Sequence, residues 1–416
     1  MNEIGRRAKV ASRQLARAKT DQKNQTLLML ADRLIAQREL ILRENVKDVE
    51  AATDTGLVPA LIDRLALDDS RLNGVAADVR RVASLSDPVG EQFDHTTLPN
   101  GLKLHKQRVP LGVLGVIYES RPNVTIDVAA LAIKTGNVAI LRGGSETLNT
   151  NRALINVVHH ALEKNQLPIA AIQFIDDPDR ARVTELLALH DYVDVIIPRG
   201  GAALHKFCRD NSRITVITGG IGICHLYVDE SADLEKAVEV IHNAKTQRPT
   251  VCNALDVVLV HRAVAANFLP RVVARLAADG VTFRAEPRAI SNLQSLISNV
   301  QPATETDFDT EWLSLVLSLK VVDNLDEAID HIAQHSTAHS DGILTRNTDH
   351  ANRFIAEVDS AAVYVNASTR FTDGGEFGLG AEVAVSTQRL HARGPMGLRE
   401  LTTYKWVGVG DYHIRK

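Results

Sequence analysis

The sequence predicts an α/β chain in which a doubly wound, mostly parallel domain is followed by a second α/β domain, with a small hairpin projecting from the first. From Val113 onward, short β-rich runs (Val113 to Tyr118, Val138 to Leu141, Ile172 to Ile175, Val193 to Ile197, Ile214 to Ile217) alternate with helical stretches, the rhythm of βαβ units. After Tyr227-Val228-Asp229 the rhythm restarts, with a helix through Ala244, a loop at Arg248-Pro249 and a strand from Asp256 to Val260. Ahead of both, Thr96 to Val109 alternate around Pro99-Asn100-Gly101, and an Asn-Gly pair favours a two-residue hairpin.

The first hundred residues read as mainly helical. Between 25 and 50, Leu27, Leu28, Ala31, Leu34, Ile35, Ile41, Leu42 and Val49 fall near helical spacing, predicting one amphipathic helix that ends before Thr53-Asp54-Thr55-Gly56. At the other end, Tyr404 to Ile414 alternate as a strand. These signals divide the chain into 1–226, 227–368 and a return segment, 369–416.

Composition narrows the function classes. With 416 residues, 45% of them hydrophobic, the chain can build more than one core. Lys and Arg number 47 against 51 Asp and Glu, which gives no field suited to nucleic acid or a membrane surface, so small molecules are the expected partners. The basic N-terminus, from Arg6 to Lys19, is interrupted by Glu3 and Asp21 at its ends and has no apolar leader behind it, so it reads as a solvated helix face. No run approaches the roughly 18 apolar residues of a membrane helix. Cys208, Cys224 and Cys252 show no CxxC spacing and no even framework, which implies a reducing, cytoplasmic setting. Fifteen histidines lie without ligand spacing, and no metal site is expected.

Cys252 lies in Thr246-Gln247-Arg248-Pro249-Thr250-Val251-Cys252-Asn253-Ala254, a polar loop between a helix and a strand. A nucleophilic thiol needs neighbouring cations or helix N-H groups to become thiolate, and Lys245 and Arg248 are close in sequence. The competing reading, a small buried hydrophobe, is kept for Cys208 and Cys224. Two glycine turns, Arg142-Gly143-Gly144-Ser145 and Arg199-Gly200-Gly201, each follow a strand and open a helix. Neither is a GxGxxG fingerprint, yet the pair, with an arginine beside each, suits a dinucleotide, and arginine favours the 2'-phosphate of NADP(H).

Several stretches, in order, resemble the aldehyde dehydrogenase superfamily: Gly136-Asn137-Val138 through Glu146, Gly219-Gly220, Gln247 to Cys252, and Glu311-Trp312-Leu313-Ser314 through Asp326-Glu327-Ala328-Ile329. Within it, Ile117-Tyr118-Glu119-Ser120-Arg121-Pro122-Asn123, Thr246 to Cys252 and Ser386 to Leu398 resemble the branch that reduces γ-glutamyl phosphate. The resemblance implies a Rossmann-type cofactor domain, an α/β catalytic domain and a small β oligomerisation hairpin and strand. It implies reduction of L-glutamate 5-phosphate by NADPH through a thioester on Cys252, in the second step of proline biosynthesis.

Asn123 is the implied side-chain oxyanion donor, although it falls two residues late measured from Gly115; Glu311 matches the residue that holds the nicotinamide-side ribose. Arg121, Arg248 and Arg393 are candidates for gripping the substrate. Ile217 stands where aldehyde oxidisers carry the glutamate that activates water, which argues for the reductive direction. A homo-oligomer is implied, and a separate glutamate 5-kinase is expected to supply the acyl phosphate. Two alternatives stay open: a semialdehyde dehydrogenase forming an acid, and a non-catalytic scaffold on the same fold.

Overall fold

Burial of apolar stripes organises the N-terminal helices. The computed structural model describes residues 1–219, 221–293 and 299–415, and helices occupy Asn2–Leu15, Thr20–Ala36, Arg38–Asp54, Pro59–Leu65 and Asp69–Ser84. The single helix expected across 25–50 is two helices, separated at Gln37, whose φ of −102° and ψ of 13° leave helical geometry. The break lets each stripe turn to the core independently: Leu27, Leu30, Ala31 and Leu34 from one helix, Ile41 and Ala52 from the next.

The described residues cluster into two compact units. The first comprises Met1–Thr218, Gly378–Ala384 and Met396–Lys416; the second comprises Gly219–Phe377 and Val385–Pro395. In the first unit a hairpin of β1 (Gln92–Thr97) and β2 (Lys103–Pro110) is joined by a third strand, Thr402–Val409, which pairs antiparallel with β2 from Thr402 opposite Pro110 to Val409 opposite Lys103. The hairpin turn is longer than the two residues expected. Leu98 and Leu102 close it by a hydrogen bond, and Gly101 takes φ +90°, a conformation glycine adopts without penalty.

The main sheet of this unit contains β3 (Val113–Tyr118), β4 (Val138–Gly143), β5 (Ile172–Phe174) and β6 (Val195–Arg199), parallel and ordered β5-β4-β3-β6. The run Ile214 to Ile217, expected as a further strand, contributes one bridge, Ile196 to Val216. Its apolar character serves burial, with Ile217 only 2% exposed, and not a ladder. Chain order runs β3, β4, β5 in one direction and returns to place β6 on the other side of β3. That reversal opens a crevice at the carboxyl ends of β3 and β6.

The second unit is built on seven parallel strands: β7 (Cys224–Val228), β8 (Leu255–His261), β9 (Thr282–Ala285), β10 (Val300–Pro302), β11 (Val316–Val322), β12 (Ser340–Leu344) and β13 (Ala362–Val365), in the order β10-β9-β11-β8-β7-β12-β13. Alternate side chains serve opposite faces, as the two-residue strand period requires. Val258 and Val260 join one core with Leu317 and Leu319; Val257 and Leu259 join the other with Tyr227 and Ile332. A short antiparallel pair, β14 (Val385–Ser386) and β15 (Gly394–Pro395), completes the unit. No helix among the described residues is long and apolar enough to cross a membrane.

Beneath β8, the Lys245 ammonium and the Asp256 carboxylate meet at 3.1 Å, both essentially inaccessible. Lys245 is therefore committed to this pair. Removing one partner of such a buried pair leaves the other uncompensated, and Lys245→Met is expected to cost about 3–5 kcal/mol of stability in denaturant unfolding, with much of it recovered in Lys245→Met/Asp256→Leu.

Candidate active site

Each unit carries one set of the candidate residues. In the first, the two glycine turns sit at the carboxyl ends of β4 and β6. A side chain at Gly143 would come within 2.3 Å of Asn151, and one at Gly144 within 2.2 Å of the Glu146 carboxylate, so the first turn is closely wrapped. Glu146 accepts from the Ser120 amide at 2.7 Å and from its hydroxyl at 2.8 Å, which ties the loop after β3 to the turn after β4. Ser120 has φ +41°, a left-handed conformation unusual for serine, and these two bonds hold it there. Across the crevice, Glu119 accepts from the Gly201 amide at 3.1 Å.

The arginines beside the turns are not equivalent. Arg142 is 7% exposed and donates to the carbonyls of Gly143 and Pro178, the latter at 2.8 Å, so its guanidinium braces the turn from within. Arg199 ends β6, and its charge reaches Asp127 and His205. His205 is pushed down to about 4, by burial first and Arg199 second.

Asn123 opens the helix Asn123–Thr135, and its side-chain amide donates to Asp127 at 2.9 Å, one turn along. Desolvation raises Asp127 from its ordinary 3.8 to about 7, with Asp78 adding to the rise while Arg199 and Asn123 oppose it. An amide has two N-H donors, so the Asp127 contact orients Asn123 and leaves a second N-H for another acceptor. Arg121 lies half-buried in the same loop.

In the second unit, Cys252 occupies a turn closed by the Ala254 amide on the Val251 carbonyl at 3.0 Å. The three cysteines differ. Cys208 and Cys224 are buried, and desolvation pushes Cys208 up to about 12 and Cys224 well above the ordinary thiol range, whereas Cys252 is only partly buried. The Cys252 carbonyl accepts from the Cys224 thiol at 3.3 Å and lies against Gly222, where an added Cβ would fall 1.4 Å from that oxygen. Glu311 accepts from the Gly222 amide at 2.9 Å, so Glu311 and Cys252 are brought together through one glycine.

Asn253 pins the other side of the turn. Its side-chain amide donates to the Thr372 carbonyl at 3.0 Å, and its own carbonyl accepts from Thr369 at 2.7 Å. Arg248 is exposed, and its charge bears on Arg370, which also lies within electrostatic reach of Cys252. Arg393 is directed elsewhere: its guanidinium bonds the Asp359 carboxylate at 2.6 Å and the Asp359 carbonyl.

Sequence reasoning missed Gly222, Asn253 and Arg370, because each acts across a large separation that no local spacing encodes. It also paired Cys252 with Lys245, which Asp256 holds instead. Gly220, part of the glycine pair cited above, lies outside the described residues. No cluster of His, Cys, Asp and Glu among the described residues could hold a metal.

A sequence model described as the aldehyde dehydrogenase family matches residues 1–287 and 294–407. A γ-glutamyl phosphate reductase from Serratia marcescens is 59% identical over 415 residues, covering 100% of both chains, and one from Proteus mirabilis (strain HI4320) is 57% identical over 416 residues, also covering 100% of both. The crystal structure of γ-glutamyl phosphate reductase from Thermotoga maritima is 48% identical, with a TM-score of 0.96 over 100% of this chain and 99% of that one. The chain belongs to the aldehyde dehydrogenase family, in the branch of the γ-glutamyl phosphate reductases.

Two measurements check this geometry. Gly222→Ala must displace the Cys252 carbonyl, and since a shift of about 1 Å at a reacting centre costs on the order of 100-fold, kcat is expected to fall by about that factor while the fold persists. A raised carboxyl contributes stability that is complete below its ordinary 3.8 and is lost as pH climbs to about 7. Asp127→Asn is therefore expected to flatten the decline in urea midpoint across that interval relative to the parent.

Proposed function

We propose that this chain reduces L-glutamate 5-phosphate to L-glutamate 5-semialdehyde and phosphate with NADPH, the second step of proline biosynthesis from glutamate, through a thioester on Cys252. The observation that carries the reading is the Cys252 turn: of three cysteines, the one that is only partly buried stands on a loop fixed by Gly222 and Asn253.

The Cys252 thiolate attacks the acyl carbon; a carbon–sulfur bond forms, the carbon–oxygen bond to phosphate breaks, and phosphate leaves with the electron pair. The Cys252 backbone N-H and the Asn123 side-chain amide are the proposed donors to the oxyanion at each tetrahedral stage, where one donor is worth about 100- to 1,000-fold in rate. A bound dihydronicotinamide supplies the hydride that reduces the thioester. Cys252 then releases the aldehyde and returns to thiolate.

Aldehyde dehydrogenase family enzymes use nicotinamide cofactors, and this chain's residues fit one: the glycine turns at the ends of β4 and β6 flank the crevice where parallel α/β sheets take nucleotides. Gly143, Gly144, Ser145, Gly200 and Gly201 would hold its phosphates and Glu311 its ribose. Arg142 and Arg199 support the phosphorylated nucleotide, although Arg142 already serves two carbonyls. Arg121 and Arg248 are proposed for the substrate's charged groups. We further propose a cytoplasmic homo-oligomer supplied with acyl phosphate by a glutamate 5-kinase.

In steady-state assays, Cys252→Ser is expected to lower turnover by at least about 1,000-fold, the order that loss of a covalent nucleophile costs. The reverse reaction with semialdehyde is expected to require inorganic phosphate. Formation of a carboxylic acid without phosphate would identify an aldehyde oxidiser instead.

A further inference from the structure

We propose that Arg370, with Arg248 beside it, is the seat for the phosphoryl group at the nucleophile, taking the phosphate oxygens of the incoming acyl phosphate and holding phosphate as it departs. This inference rests on the reading of the chain as an acyl-phosphate reductase.

The segment bearing Arg370 is anchored from several directions. Thr369 is fully buried and donates to the Asn253 carbonyl, next to Cys252 in the chain. Asn253 returns the contact, donating to the carbonyls of Arg370 and Thr372 at 3.4 and 3.0 Å. Thr372 is held by the hydroxyls of Ser340 at 2.6 Å and Tyr364 at 2.7 Å. The short helical turn Thr369–Phe371 is thus tied to the nucleophile loop by hydrogen bonds in both directions.

The guanidinium is also oriented. Its Nε donates to Gln247 at 2.8 Å, from the start of the same loop, while its two terminal amino groups have no protein partner among the described residues. A planar edge with paired N-H donors matches phosphate bidentately. Arg370 is half-buried, and burial, followed by the like charge of Arg248, opposes its cationic form, while the Asp373 carboxylate and then Cys252 act the other way without cancelling that opposition. Two cations held together beside a nucleophile incur this electrostatic cost in the unliganded protein, and a dianion relieves it.

The substrate offers two anions. The phosphoryl group is bonded to the carbon that Cys252 attacks, whereas the α-carboxylate lies at the far end of the glutamyl chain. A cation within reach of the Cys252 sulfur fits the nearer group. As the carbon–sulfur bond forms and the carbon–oxygen bond breaks, the electron pair moves onto the phosphate, where Arg370 receives the added charge.

The test uses the full-length enzyme in the reverse direction, with semialdehyde, NADP+ and inorganic phosphate. Arg370→Gln is expected to raise KM for phosphate about 10- to 100-fold, the worth of a hydrogen bond to a charged group, with KM for semialdehyde within about twofold and part of the loss restored in Arg370→Lys. In the parent enzyme, phosphate should compete saturably with iodoacetate, but not with neutral iodoacetamide, for alkylation of Cys252. A rise confined to the semialdehyde KM would assign Arg370 to the carboxylate, and equal changes in both would mean a structural role; each overturns the proposal. If the variants fail to fold, the alkylation arm decides, and absence of competition by phosphate overturns it. A parent enzyme that runs backwards without phosphate removes the functional reading itself, an outcome distinct from an unmoved phosphate KM.

Discussion

The position of the Cys252 turn depends on an atom that is missing. Gly222 passes so close to the Cys252 carbonyl that any Cβ would overlap it, and this close approach lets the Glu311 carboxylate, bonded to the Gly222 amide, set the height of the nucleophile loop. On the opposite side Asn253 receives the loop from the 369–372 segment. The Glu311 carboxylate, through the Gly222 amide, and the Asn253 and Thr369 side chains, bonded to main-chain carbonyls, fix the turn from both sides. A nucleophile has to be positioned, and side chains that grip the main chain around it meet that demand.

Burial separates the remaining chemistry. Cys208 and Cys224 are buried where Cys252 is only partly so; desolvation keeps both as thiols, so neither competes as a nucleophile. The same force acts on Asp127, which it brings to about 7, and on the Lys245–Asp256 pair beneath β8. Arg142 shows a third outcome: a buried guanidinium whose terminal nitrogens bond two carbonyls while desolvation still opposes its charge, so that it braces the turn beside it.

Strands whose side chains are buried on both faces were the most legible part of the fold. Val113 to Tyr118 was readable to the residue because a parallel central strand needs unbroken apolar character, and Asp256 to Val260 was short of the observed strand by one residue at each end. Ile214 to Ile217 misled for the same reason: burial alone produces the pattern, whether or not a ladder forms. The break at Gln37 was invisible because apolar spacing on either side of it continues without interruption. Of the candidate site, single residues with distinctive chemistry stood out, while the contacts that position them did not. Gly222 and Asn253 act through their backbones or through partners far along the chain, and neither leaves a pattern in neighbouring residues.

The strand Thr402–Val409 lies along β2, with Arg108 and Thr402 joined at 3.2 Å across a sequence separation of 294 residues. During synthesis β2 therefore waits with one edge uncovered until residues 402–409 have emerged and returned to it. Closing so large a loop carries an entropic penalty that delays completion of the small sheet, and an uncovered edge is open to pairing with other chains in the interval. The strand Thr402–Val409 acts as a latch, closing that edge only once the intervening chain has been drawn together.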